Sequence, residues 1–100
     1  MAYSTISKPG LHFNTKLYTG NGSSGHAITG VGFQPDWVWI KNRTDSASHN
    51  LYDAVRGTSA GKLKSNTTDA QSYNAQDLSV FGTDGFTVGS DGALNTNSSN

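Results

Sequence analysis

The chain has no cysteine and no glutamate, and it carries no net charge. Without cysteine there is neither a disulfide framework nor a thiolate metal site. All seven acidic residues are aspartate. Glutamate and lysine normally dress the outer faces of helices, whereas Asp, Asn, Ser, Thr and Gly favour caps and turns. The seven cationic residues are scattered, so no basic face exists of the kind that holds nucleic acid by neutralising phosphates. No apolar run approaches the roughly 18 residues of a membrane-spanning helix. The opening MAYSTISKPG lacks the charged start and apolar stretch of a signal peptide. The expectation is a soluble product of the cytosol, with no nucleic-acid partner and no membrane insertion.

What is there is turn chemistry and a thin set of core formers. Gly, Ser, Thr and Asn supply 45 of the 100 residues. Hydrophobic residues make up 33% and aromatics 10%, and runs such as Trp37-Val38-Trp39-Ile40 give the chain something to pack. Short β-prone stretches recur with Gly, Asn or Asp between them: 15–19 (TKLYT), 26–30 (HAITG), 36–42 (DWVWIKN) and 49–55 (HNLYDAV). Residues 78–89 (LSVFGTDGFTVG) read as a hairpin, with Asp84-Gly85 supplying positive φ at the turn. Residues 57–77 are weakly periodic, with at most one helical turn near 69–76. This spacing predicts an all-β fold, a small antiparallel β-sandwich of jelly-roll type, rich in turns. The polar ending leaves its last edge strand missing. The organisation expected is an arm over residues 1–14, a sandwich domain over 15–92 and a polar tail or truncated linker over 93–100.

Gly20 to Gly25 (GNGSSG) fit the G-x-G-x-x-G pattern of dinucleotide-binding loops. That pattern holds a pyrophosphate only between a buried strand and a long helix. Here β-branched residues, two more glycines and a proline follow, so the stretch reads as a hairpin loop between two strands and no cofactor is expected. His12, His26 and His49 lack metal-ligand spacing, the Asp-Gly turns lack a full calcium ladder, and no Gly-x-Ser-x-Gly elbow is present. Neither metal nor catalytic residues are assigned. Four N-x-S/T sequons, at Asn21, Asn42, Asn66 and Asn97, decide nothing without a secretory route. Asp53 and Arg56 are placed to pair across a bend. Trp37 and Trp39 share one face of a strand. With Tyr18 and Tyr52 they are the candidate aromatics for stacking on a ligand or packing into another subunit.

The ordered blocks YTGNGS, ITGVGFQPDWVWIKNR, HNLYDAVRG, LKSNTT and FGTDGFTVGS span Tyr18 to Ser90. Together they resemble a domain of tail-fibre and other virion structural proteins of tailed bacteriophages, particularly phages of marine bacteria. The opening residues also resemble the start of such proteins, so the N-terminus is read as native. In those proteins a further aromatic strand follows the DGFTVGS block, and this chain stops before it. The resemblance implies a non-enzymatic virion component made in the bacterial cytoplasm, most simply a tail-fibre protein for host adhesion. It implies a homotrimer in contact with other virion or tail proteins, with residues 1–14 as the candidate virion-attachment segment. Two other readings stay open: a carbohydrate-binding module for host surface glycans, and a head fibre decorating the capsid.

Overall fold

The chain, described over residues 9–96 in a computed structural model, folds into six short strands and one turn of helix. In chain order these are β1 (His26–Ile28), β2 (Trp37–Ile40), β3 (Asn50–Asp53), β4 (Leu63–Lys64), β5 (Leu78–Gly82), β6 (Gly85–Val88) and α1 (Gly92–Asn95). Short 3-10 turns occupy Pro9–Leu11 and Thr58–Ala60. The strands form two three-stranded antiparallel sheets, ordered β1–β6–β5 and β2–β3–β4. The fold is therefore the small, turn-rich, sandwich-like all-β architecture that the composition predicts. Among the described residues no helix is long and apolar enough to cross a membrane.

Alternation along each strand builds the core. On β2, Val38 and Ile40 point inward while Trp37 and Trp39 point out. Antiparallel pairing sets Val38 opposite Tyr52 and Trp39 opposite Leu51, so partners share a face. The inner face meets Ile28, Leu78, Phe86 and Val88 of the other sheet in a single cluster, closed by Leu94 of α1. The hairpin β5–β6 pairs Phe81 with Phe86 and Gly82 with Gly85, with an irregularity between Leu78 and Val80. Its turn differs from the expected chemistry, because no described residue other than glycine has positive φ. Asp84 works through its side chain instead. Its carboxylate accepts from the Gly30 and Gly32 amides at 3.0 and 2.7 Å, and those two hydrogen bonds hold its pKa below the usual carboxylate value.

Two local expectations are corrected, and one open possibility is decided. Residues 15–18 form no strand, and only Thr19 makes an isolated bridge. No helix forms over 69–76; Ser72 bridges Lys62 there through a pair of backbone hydrogen bonds. The stretch 93–96 is not tail. Leu94 and Asn95 are fully buried, and Asp91 caps their helix by accepting from the Ala93 amide at 2.8 Å. The arm and tail expected at the two ends lie, for residues 1–8 and 97–100, outside the described residues.

The GNGSSG loop is not a hairpin either. It docks on α1: the Gly22 amide donates to the Asn95 carbonyl at 2.8 Å, and the Asn95 side chain bonds Asn21 and the Ser23 carbonyl. Gly20 is required by proximity, since a Cβ there would stand 1.8 Å from the Thr96 carbonyl oxygen.

Candidate functional site

The outer face of the second sheet carries an apolar strip, with Asp53 opposite Trp37 at one end. Trp39, Leu51 and Leu63 lie in register across β2, β3 and β4. Trp37 follows at the same face, with its ring 6.4 Å from that of Trp39 and tilted by 43°. His49 extends the strip, 6.3 Å from the Trp39 ring. Trp37 and Trp39 each remain more than half exposed, at 55% and 56%. Among the described strands β2 is the outer one of its sheet, and an outer strand turns one row of backbone groups away from the sheet.

Residues of β2 and of the segment 11–18 together line a groove of about 710 Å³. Leu11, Phe13 and Leu17 alternate along that segment and are largely exposed. Val31, Phe33, Pro35 and Phe86 contribute to the lining, and Lys16, Lys41 and Arg43 carry charge there, with Asp36 the acidic group among them. The arrangement is an apolar trough with a mainly cationic border. It offers aromatic surface and hydrogen-bonding groups.

Of the four aromatics singled out from sequence, the structure brings three to this region. Trp37 and Trp39 are on the open face, and Tyr18 is half-buried in the groove wall. Tyr18 makes edge contacts to His26 and Phe86, and its hydroxyl donates to the Leu94 carbonyl at 2.6 Å, so it braces α1. Tyr52 is corrected: it is 1% exposed and belongs to the core, so it has no face to offer a ligand. Sequence reading missed the contribution of the segment 11–18 to the groove. The alternation of Leu11, Phe13 and Leu17 was the available signal. The Asp53–Arg56 pair forms as expected, at 2.5 Å, and the Arg56 hydrogen bond lowers the Asp53 pKa. Asn42 is fully buried, its Oδ1 accepting from the Thr44 and Asp45 amides, which removes that sequon as an acceptor. Among the described residues no group of His, Cys, Asp or Glu is arranged to hold a metal ion.

A cluster of charged side chains joins the residues that immediately precede β4, β5 and α1. Lys62 Nζ sits 3.0 Å from Asp77 Oδ1 and 3.4 Å from Asp91 Oδ2. Burial opposes the Lys62 charge, but hydrogen bonds and charge from Asp77 and Asp91 outweigh it and hold the pKa above the usual lysine value. Burial pushes the Asp77 carboxyl up. The Tyr52 phenol is raised by burial and then by Asp77 and Asp91, and its hydroxyl is buried with no hydrogen-bond partner. An unpaired buried hydroxyl contributes desolvation cost and no bond. Tyr52→Phe is therefore expected to leave stability within about 0.5 kcal/mol of wild type or to raise it. A urea titration showing a loss above about 1.5 kcal/mol would mean that the hydroxyl is bonded.

No curated protein and no solved structure matches the chain. The match to a family is nonetheless nearly complete: its pattern covers residues 8–100, taking in both sheets, the aromatic face and α1, and the chain belongs to the DUF7483 family, a domain of unknown function.

Proposed function

We propose that the protein is a non-enzymatic structural module of a tailed-phage virion, of the tail-fibre type, that acts by surface contact. The virion part of this reading rests on the ordered sequence blocks from Tyr18 to Ser90. The geometry contributes the contact surface, and one observation carries it: an exposed aromatic strip, Trp37 and Trp39, beside an apolar groove of about 710 Å³. Single exposed hydrophobics are ordinary, but a contiguous apolar face beside a groove marks a binding surface. Copies of the same chain are the simplest occupant, since the molecule is uncharged overall and does not repel itself. A homotrimer, with other virion proteins at its ends, is the assembly proposed.

A second reading is favoured by the same two rings. Tilted tryptophans with Asp36, Lys41 and Arg43 beside them offer both stacking faces and hydrogen-bonding groups to a sugar. The double variant Trp37→Ala/Trp39→Ala separates these readings. Both residues project from the fold, so its circular dichroism and melting should stay near wild type. Light scattering should show wild type as an oligomer and the variant shifted towards a 10.6 kDa monomer. If wild type is instead monomeric and titration calorimetry shows host polysaccharide binding that the variant loses, the module reads glycans. A wild-type monomer with no polysaccharide binding would sink the contact role.

A further inference from the structure

We propose that Lys62 and Asp77 condense spontaneously in the folded protein to an intramolecular isopeptide bond, with the Asp91 carboxylate moving the proton. The three groups are already assembled. Nζ of Lys62 lies 3.0 Å from Oδ1 of Asp77, one bond from the carboxyl carbon, and 3.4 Å from Oδ2 of Asp91. The Lys62 and Asp77 side chains are only 12% and 2% exposed. The backbone holds them there: Lys62 exchanges two hydrogen bonds with Ser72 just before β4, and the Asp77 carbonyl accepts from Gly89 just before β5. Reacting groups fixed in contact meet at very high effective concentration.

The cluster is also incomplete as an ion pair. Oδ2 of Asp77 is buried with no hydrogen-bond partner, and the Tyr52 hydroxyl is likewise buried and unpaired. A buried carboxylate with one naked oxygen is an expensive species. An amide in its place carries no charge and has one oxygen fewer to satisfy. Burial favours the uncharged Asp77 carboxyl, the form that a nucleophile attacks, and opposes the Lys62 charge, while the two aspartates hold that charge in the resting ion pair, so the proton transfer is the step the geometry must drive.

The step balances without oxidant or cofactor. The Lys62 ammonium gives one proton to the Asp77 carboxylate, leaving an amine beside a carboxylic acid. The nitrogen lone pair attacks Cγ of Asp77, forming the N–C bond and a tetrahedral carbon. Asp91 takes the second proton from the nitrogen and returns it to the departing hydroxyl, so the C–O bond breaks and one water leaves. The product is a secondary amide, and Asp91 ends as it began. The bond would tie the β2–β3–β4 sheet to the β1–β6–β5 sheet across 15 residues of chain. In a protein without cysteine it would do the work of a disulfide.

Intact mass spectrometry of the full chain under denaturing conditions is the test. Wild type should weigh one water less than its sequence. Trypsin should fail to cleave after Lys62 and should leave residues 57–64 joined to 65–100. Lys62→Arg, which keeps the charge, and Asp91→Asn should both show the full mass. Wild type at full mass, after folding is verified by circular dichroism, overturns the proposal. So does a water loss that persists in Lys62→Arg, as ring closure at Asp84-Gly85 or Asp91-Gly92 would produce. A bond that still forms in Asp91→Asn removes Asp91 from the step.

Discussion

Asn95→Ala is expected to lose about 3–5 kcal/mol of folding stability, a large part of the roughly 5–15 kcal/mol that a domain of this size possesses. The Asn95 side chain is fully buried and joins α1 to the distant stretch 21–26 and to Gly89 at the end of β6. Its Oδ1 accepts from the Asn21 amide at 2.9 Å and from His26 Nδ1 at 2.8 Å, which places the imidazole proton on Nδ1. Its Nδ2 donates among Asn21 Oδ1, the Ser23 carbonyl and the Gly89 carbonyl at 3.1, 2.7 and 2.9 Å. Truncation strands two donors and three acceptors at once; a buried one such as the Gly89 carbonyl costs about 1–3 kcal/mol when unpaired, not additively, while those of the exposed Asn21 and Ser23 regain water. Asn95→Asp should be worse, since it turns a carboxylate towards carbonyl oxygens. Urea denaturation followed by tryptophan fluorescence gives the number. A loss below about 1 kcal/mol would show that water replaces the network at little cost.

Gly20→Ala should be of similar size, at about 3–5 kcal/mol, although it removes nothing. The added Cβ would lie 1.8 Å from the Thr96 carbonyl oxygen and 2.7 Å from the Asn95 carbonyl carbon. Both are backbone atoms, so no rotamer change relieves the overlap. Either the 20–25 loop or α1 must move away. Displacing α1 uncovers Leu94, which is completely buried, and breaks the hydrogen bond from the Gly22 amide to Asn95. Amide hydrogen exchange should show Gly22, Leu94 and Asn95 losing protection before the β5–β6 hairpin does. Gly22→Ala is a useful contrast: a Cβ there meets nothing, but its φ of 71° strains any other residue, so its cost should be near 1 kcal/mol. Equal losses at the two positions would mean that backbone freedom, not close approach, is why Gly20 is there.

These two residues show where reading the chain linearly stops. The period-2 pattern of 37–40 was legible because it is a local property: a strand buried on one face must alternate. The β5–β6 hairpin was legible for the same reason, since its partners are neighbours in sequence. The candidate site was half legible. Two tryptophans at i and i+2 must share a face, but whether that face is core or solvent depends on the sheet's other side. Tyr52 looked equivalent to Trp37 and proved to be core, because pairing with Val38 assigns it to the inner face. The β-prone residues 15–18 found no partner strand, and propensity without a partner makes no sheet.

Composition alone was enough to determine an all-β, turn-rich chain without disulfides, because those conclusions follow from residue types and local spacing. Everything that joins distant segments was decided by the tertiary structure. A buried amide in a stretch of Asn, Thr and Ser resembles a solvated tail until Asn21, Ser23 and Gly89 are seen around it. One lysine and two aspartates, at 62, 77 and 91, are unremarkable in sequence and form one buried cluster in space. The physical reason is the same in both cases. The energy of a polar group depends on what surrounds it, and its surroundings here come from residues between 6 and 74 positions away.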